Sequence, residues 1–171
     1  LVARAISAGK HTFVEKPLSI DLRQLREVQS RHEEATKKSK APQLMVGFNR
    51  RYAPHVQKMK ELLNPIKAPK TFVMTMNAGD LPKEHWTQDN YVGGGRIIGE
   101  ACHYIDLMRF LAGHEVVSVQ GRRMGKSPGI FITEDKACIT LGFADGSFGT
   151  IFYLANGAAA YPKERVEVFA G

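Results

Sequence analysis

Apolar positions along the chain switch between two periods, and the switches mark the elements. A partial helix, Leu1 to Ser7, and a strand from His11 to Glu15 come first, and Pro17 stops the strand's pairing. Leu22, Leu25 and Val28 then recur at helical spacing behind a capping residue, Ser19 or Asp21, and predict a helix running to about Lys38. Ser39 to Pro42 breaks it, and Gln43 to Phe48 reads as a short buried strand. Val56, Met59, Leu62 and Leu63 give a second amphipathic helix that starts at Pro54 and ends near Asn64-Pro65. From Lys70 the period falls to two. Phe72, Met74 and Met76 alternate with Thr71, Val73 and Thr75, which predicts a strand with one face packed on helices.

Gly79 to Gly95 is a long loop carrying Pro82, His85 and Trp86, and a loop of that length is more often functional than idle. A helix through His103 follows and ends at Gly113, a glycine C-cap. Three or four further strands complete the chain: Val116–Arg122, Lys136–Phe143, Ser147–Leu154 and Arg165–Phe169, with a hairpin turn at Asp145-Gly146. The order predicts an α+β domain, an open and mostly antiparallel sheet covered by helices on one face, preceded by the tail of a doubly wound unit. The domain boundary is expected after residue 18, with 19–171 forming the second domain. The sheet's other face reads as Thr, Tyr and small residues.

A chain of 171 residues, 43% hydrophobic and 24% charged, has the composition of a globular domain. No apolar run approaches the ~20 residues of a membrane span. Cys102 and Cys138 sit in apolar contexts on a helix and a strand, as buried thiols of a reducing, cytoplasmic compartment rather than a bridge. The net charge of +7 raises a nucleic-acid reading. Its clusters, Lys37-Lys38-Ser39-Lys40 and Arg122-Arg123-Met124-Gly125-Lys126, are separated and lack interleaved aromatics, so they read as solvated surface. A basic face would also attract an anionic substrate such as a sugar nucleotide or uronic acid.

The candidate chemistry concentrates in Gly93-Gly94-Gly95-Arg96-Ile97-Ile98-Gly99-Glu100-Ala101-Cys102-His103-Tyr104-Ile105-Asp106. Glu100, His103 and Asp106 are spaced i, i+3, i+6, which on a regular helix places them along one side. Ile97, Ile98, Ile105, Leu107, Met108, Phe110 and Leu111 supply the buried side. A histidine flanked by carboxylates is a plausible general base, because a carboxylate fixes its tautomer and raises its basicity. One Glu-x-x-His does not make a carboxylate-bridged di-iron site, and no zinc motif is present, so no metal is expected.

Phe13-Val14-Glu15-Lys16-Pro17, Gly47-Phe48-Asn49-Arg50-Arg51-Tyr52 and the glycine run leading to His103-x-x-Asp106 occur in one order along the chain. Together they resemble the glucose–fructose oxidoreductase / inositol dehydrogenase (Gfo/Idh/MocA) family of NAD(P)-dependent dehydrogenases. The resemblance implies NAD or NADP, bound by Glu15, Lys16 and Pro17 at the end of a cofactor domain. It implies a sugar, sugar-nucleotide or polyol substrate, with Lys16, His103 and Glu100 catalytic. Arg50, Arg51, Tyr52, Trp86 and Asp106 are its candidate substrate contacts, and the open sheet face is where homo-oligomers would pair. The combination of His85-Trp86 with the run from Gly93 through Glu100 to Cys102-His103 is also similar to a branch in which a zinc-type alcohol dehydrogenase domain precedes the oxidoreductase in one polypeptide. No Gly-x-Gly-x-x-Gly turn precedes Lys16, so the chain reads as a fragment, inactive alone, of a cofactor domain's tail and most of a substrate domain.

The chain departs from the family at one position. The aspartate usual four residues before the histidine is Gly99 here. Either Glu100 takes over the carboxylate role through a local bend, or His103 works without it. A rival reading is a non-catalytic ligand-sensing or scaffold protein on the same fold.

Overall fold

The computed structural model describes residues 1–38, 42–130 and 132–171. The break expected at Ser39 to Pro42 therefore lies mostly outside the described residues, as do Ser39 and Lys40 of the basic cluster. The chain opens with α1 (Val2–Ser7), β1 (Thr12–Val14), α2 (Leu22–Lys38) and β2 (Leu44–Val46). Asp21 settles the capping question, because its Oδ1 accepts the Gln24 N–H at 2.7 Å. β1 and β2 pair in parallel, Phe13 beside Met45, with α2 as the crossover between them. Parallel neighbours require such a crossover. The boundary expected after residue 18 thus falls inside a β–α–β unit that runs to Val46.

The second unit holds α3 (Pro54–Leu63), β3 (Thr71–Asn77), α4 (Cys102–Ala112), β4 (Val116–Arg123), β5 (Lys136–Phe143), β6 (Phe148–Leu154) and β7 (Glu164–Phe169). Its sheet has the order β4-β5-β6-β3-β7. Three neighbouring pairs are antiparallel, while β3 and β6 run parallel. The sheet is open and mostly antiparallel, as the period-two segments predict, and α3 and α4 cover one face.

The core forms where the alternation and the helical stripes meet. Phe72, Met74 and Met76 of β3, Leu141 of β5, and Ile151 and Tyr153 of β6 are all at most 3% exposed and pack against Tyr104, Leu107, Met108 and Leu111 of α4. Ile98, expected on the buried side of the His103 helix, is 41% exposed. It belongs to a π-turn rather than to α4, so helical spacing does not apply to it. The opposite sheet face carries Thr71, Thr75, Thr140 and Thr150 in register with one another's strands, flanked by exposed Phe148, Phe152 and Phe169. The tyrosine expected on that open face is not there: Tyr153 of β6 is buried in the core. Cys102 and Cys138 are free thiols, half-buried rather than fully buried.

Two glycine features fix the fold locally. Gly113 closes α4 in the left-handed conformation at φ 79° and donates to Arg109 O. Gly149 lies flat beneath β3 and α4, where an added Cβ would sit 2.5 Å from Phe72 Cβ and 2.8 Å from Met108 Sδ. Gly149→Ala should therefore destabilise the chain by about 1–3 kcal/mol through overpacking. Gly125→Ala, whose Cβ would meet nothing within 4 Å, should be near neutral. Urea unfolding of the two variants beside the parent checks both expectations.

Candidate active site

β1 and β2 run out at the same end of their parallel pair, and their continuations supply two sides of the site. Ligands of doubly wound sheets bind outside the carboxyl ends of the strands. From β1 the chain passes through Glu15 to Lys16 and Pro17. From β2 it passes through Gly47, which lies against the Glu15 carboxylate: a Cβ there would sit 2.9 Å from Glu15 Oε2. A 3-10 turn, Asn49–Tyr52, then brings Arg50 and Arg51 against α4.

The third side comes from the long loop and the turn that ends it. A short 3-10 turn, Trp86–Gln88, lies within that loop. The three glycines make one compact feature. A Cβ on Gly93 would meet Trp86 O at 2.7 Å and Thr87 Cα at 2.8 Å, while Gly94 and Gly95 both take positive φ, 74° and 78°. The backbone then enters a π-turn, Ile97–Ala101, before α4 begins. Such turns insert an extra residue per turn and recur at functional sites.

The π-turn decides which atoms face the site. Gly99 presents its carbonyl to Lys16, which donates from Nζ at 2.7 Å. This hydrogen bond joins the β–α–β unit to the start of α4. Glu100 is turned elsewhere, accepting from Tyr153 Oη and, at 3.4 Å, from Arg96 Nη2. Burial and the Glu100 contact push the Tyr153 phenol well above its ordinary value, so it remains the donor. Asp106 accepts both Arg51 Nε, at 2.6 Å, and Arg51 Nη2. Neither carboxylate hydrogen-bonds His103, so the expected carboxylate–histidine–carboxylate row does not form. The inserted residue rotates Glu100 off the helical series, and each carboxylate is held by its own arginine instead.

His103 itself is 8% exposed, with its ring edge-on to Phe48 at 6.1 Å. Its Nδ1 is buried without a hydrogen-bond partner. Burial lowers its pKa to about 4, helped by the positive charges of Arg50 and Lys16, which outweigh Asp106 and Glu164. The imidazole is therefore neutral at physiological pH, with one ring nitrogen able to accept a hydrogen bond. Beside it stands an ammonium able to stabilise negative charge on an oxygen.

The remaining sequence candidates are placed as follows. Arg50 donates to Glu164 Oε1 at 2.6 Å and to Tyr104 Oη at 3.1 Å, and its guanidinium lies 4.9 Å over the Tyr104 ring. Tyr52 and Trp86 are 63% and 61% exposed, and the Trp86 ring stacks on His85 at 6.0 Å. Glu15 is exposed and the Lys16–Pro17 peptide is cis. Among the described residues no three His, Cys, Asp or Glu side chains gather as a metal site. Four partners escaped the sequence reading: Arg96, Asp135, Tyr153 and Glu164. The i, i+4 spacing of Arg96 and Glu100 is a signal for the first. Glu164 is brought in only by the pairing of β7 with β3.

The depressed His103 value makes stability depend on pH. Between about 6.5 and 4 the unfolded chain binds a proton at this residue that the folded chain does not. Its contribution is therefore complete above pH 6.5 and lost as pH falls toward 4. Urea titrations at pH 7.5 and 4.5 should show His103→Leu losing roughly 2 kcal/mol less than the parent over that interval.

Residues 60–167 match the family described as "Oxidoreductase family, C-terminal alpha/beta domain". A myo-inositol 2-dehydrogenase of Thermotoga maritima is 31% identical over 176 residues, covering 99% of this chain and 49% of that protein. An uncharacterized oxidoreductase of Bacillus subtilis is 29% identical over 174 residues, with 99% and 48% covered. Among solved structures, a probable dehydrogenase from Thermotoga maritima superposes with a TM-score of 0.74 at 27% identity, covering 99% of this chain and 50% of that one. An NAD binding oxidoreductase from Klebsiella pneumoniae reaches 0.78 at 24% identity, with 99% and 48% covered, which shows a shared fold. The chain spans about half the length of these relatives. The match of 60–167, carrying the π-turn, His103 and the five-stranded sheet, shows that this chain belongs to the oxidoreductase family whose C-terminal alpha/beta domain it contains.

Proposed function

We propose that this chain carries the substrate half of an NAD(P)-dependent dehydrogenase acting on a hydroxyl carbon of a sugar, sugar nucleotide or polyol. The observation that carries the reading is the Lys16 Nζ to Gly99 O hydrogen bond of 2.7 Å. It sets an ammonium from the end of β1 beside the start of α4, where His103 Nδ1 is buried and unpartnered. An orphaned polar atom next to a cation is a fitting receiver for a substrate hydroxyl. Residues 1–46 then belong to the cofactor domain, with Glu15, Lys16 and Pro17 at its reacting end.

When bound, NAD(P) supplies the acceptor for the hydride leaving the carbinol carbon. His103, neutral at pH 7, accepts the hydroxyl proton. Lys16 stabilises the oxygen as negative charge develops on it. Glu100 acts through its contacts, holding the π-turn by way of Tyr153 and Arg96, and Asp106 orients Arg51. The orphaned imidazole and the ammonium fit the nicotinamide end of the cofactor and the substrate.

The same reading takes in three further points. The Thr- and Phe-bearing sheet face pairs two copies of the protein, the free thiols fit a reducing cytoplasm, and the His85-Trp86 and glycine-run pattern fits the branch fused to a zinc-type alcohol dehydrogenase domain. Sedimentation, intact mass and zinc content of the full gene product decide these.

Lys16→Ala and His103→Ala in the complete gene product should each lower kcat/KM by about 10²–10⁴, with folding retained by circular dichroism. Unchanged turnover in both would sink the catalytic assignment. Ligand binding without turnover in the parent would favour a sensing protein.

A further inference from the structure

Lys16 donates to a backbone carbonyl, and the direction of a carbonyl is set by its peptide plane. That plane holds the Gly99 C=O and the Glu100 N–H as one rigid unit. Glycine restrains its own side of the plane least of any residue, and a Cβ on Gly99 would meet nothing nearer than Gly93 O at 3.5 Å. Side-chain restraint on the plane therefore falls to Glu100. Its carboxylate has two partners: the Tyr153 hydroxyl donates to Oε2, and Arg96 Nη2 reaches the same atom at 3.4 Å.

Tyr153 is the fixed end of this tie. It is fully buried in the core beneath α4, and its strand is hydrogen-bonded on both sides, to β5 and β3. A buried hydroxyl needs a partner, and that need alone would be met by any acceptor within reach. The acceptor it meets belongs to the residue whose amide shares a plane with the carbonyl that Lys16 binds. Arg96 is anchored independently of Glu100, by Gly79 O, Ala78 O and Asp135, so removing the Tyr153 hydroxyl leaves that guanidinium in place.

We propose that Tyr153 is a positioning residue: through Glu100 it fixes the Gly99–Glu100 peptide plane in the π-turn, and so holds the Lys16 ammonium beside the reacting oxygen. The inference rests on the dehydrogenase reading for the role of Lys16. An ammonium has three protons to donate. One goes to Gly99 O, which leaves others for the oxygen that gives its proton to His103. Without the tie, the Glu100 side chain, already 31% exposed, turns toward water. The carbonyl then loses its fixed direction, and Lys16 loses its place. The cost falls on the transition state, where negative charge on the oxygen is greatest, and therefore on kcat rather than KM.

The test uses the complete gene product as the parent, Tyr153→Phe, Lys16→Ala and the double variant, with myo-inositol and D-glucose as probes and NAD or NADP as oxidant. Phenylalanine keeps the packed ring and removes only the hydroxyl. Tyr153→Phe should lower kcat by about tenfold to a hundredfold, with KM changed by less than about twofold. In the Lys16→Ala background the same substitution should cost less than about threefold, since a residue acting through Lys16 then has nothing left to position. A second readout needs no turnover. Lysines are labelled with acetic anhydride, and Lys16 is compared with exposed Lys126 by peptide mass. Released from Gly99 O, Lys16 should acetylate about threefold faster or more in Tyr153→Phe. Should Tyr153→Phe not fold, Glu100→Ala cuts the same tie from its exposed end and takes its place in the cycle.

An unchanged kcat in folded Tyr153→Phe overturns this inference and leaves the dehydrogenase reading standing. So do equal losses with and without Lys16, which mark a tyrosine that only supports the fold. A parent that oxidises neither probe counts against the dehydrogenase reading for these substrates, and labelling then decides the inference by itself. Faster acetylation of Lys16 supports the positioning role, and an unchanged rate overturns it.

Discussion

The site depends on one buried guanidinium. Arg96 is 3% exposed, donates to Gly79 O at 2.7 Å and Ala78 O at 3.1 Å, reaches Glu100, and lies 5.6 Å over the Tyr153 ring. Asp135, fully buried, stands 3.8 Å away and is also held by Lys136 and Gln88. Charges taken out of water cost several kcal/mol each unless paired and hydrogen-bonded, so such a cluster tolerates few arrangements. Arg96 thus joins the end of β3, the start of the long loop, the π-turn and β6 in a single geometry. The direction of the Gly99 carbonyl follows from it, and with it the place of Lys16.

The parts of this architecture set by local chemistry were readable from the chain. Alternation in 71–76 gave β3 and its buried face, Pro54 and Gly113 gave one end each of α3 and α4, and Asp145-Gly146 gave the β5–β6 hairpin. The expectation of an open, largely antiparallel sheet with helices on one side rested on these. Pairings between distant segments were not readable. Nothing in the sequence of β3 says that it lies parallel to β6 with Thr75 beside Phe152, or that α2 and β2 join β1 in one parallel unit.

At the site the limit has a different cause. The spacing of Glu100, His103 and Asp106 was read with 3.6 residues per turn, and the inference fails where the period changes. The local bend considered at Glu100 does exist, yet it carries the carboxylate toward Tyr153 and Arg96 rather than toward His103. Burial decides this as much as geometry. A carboxylate beside a buried arginine and a buried phenol gains two charge-assisted hydrogen bonds, which a neutral imidazole cannot match. Asp106 chooses Arg51 for the same reason, and the bidentate guanidinium suits it better than a ring nitrogen.

Withholding carboxylates from His103 has a chemical consequence of its own. A carboxylate partner would raise the imidazole's pKa and hold its tautomer. Burial beside Arg50 and Lys16 lowers it to about 4 and leaves Nδ1 without a partner. Such a ring is unprotonated across the physiological range, so none of it is lost to the charged form, but as a base it is weak. It can accept a proton efficiently only if the group losing that proton is made more acidic, or if negative charge arrives with the ligand and raises the histidine's basicity. In the proposed mechanism Lys16 makes that group more acidic, by stabilising the oxygen that loses its proton. On this view the low histidine value and the neighbouring ammonium are two sides of one electrostatic arrangement, in which the cation that helps hold His103 neutral also supports the oxygen it would deprotonate.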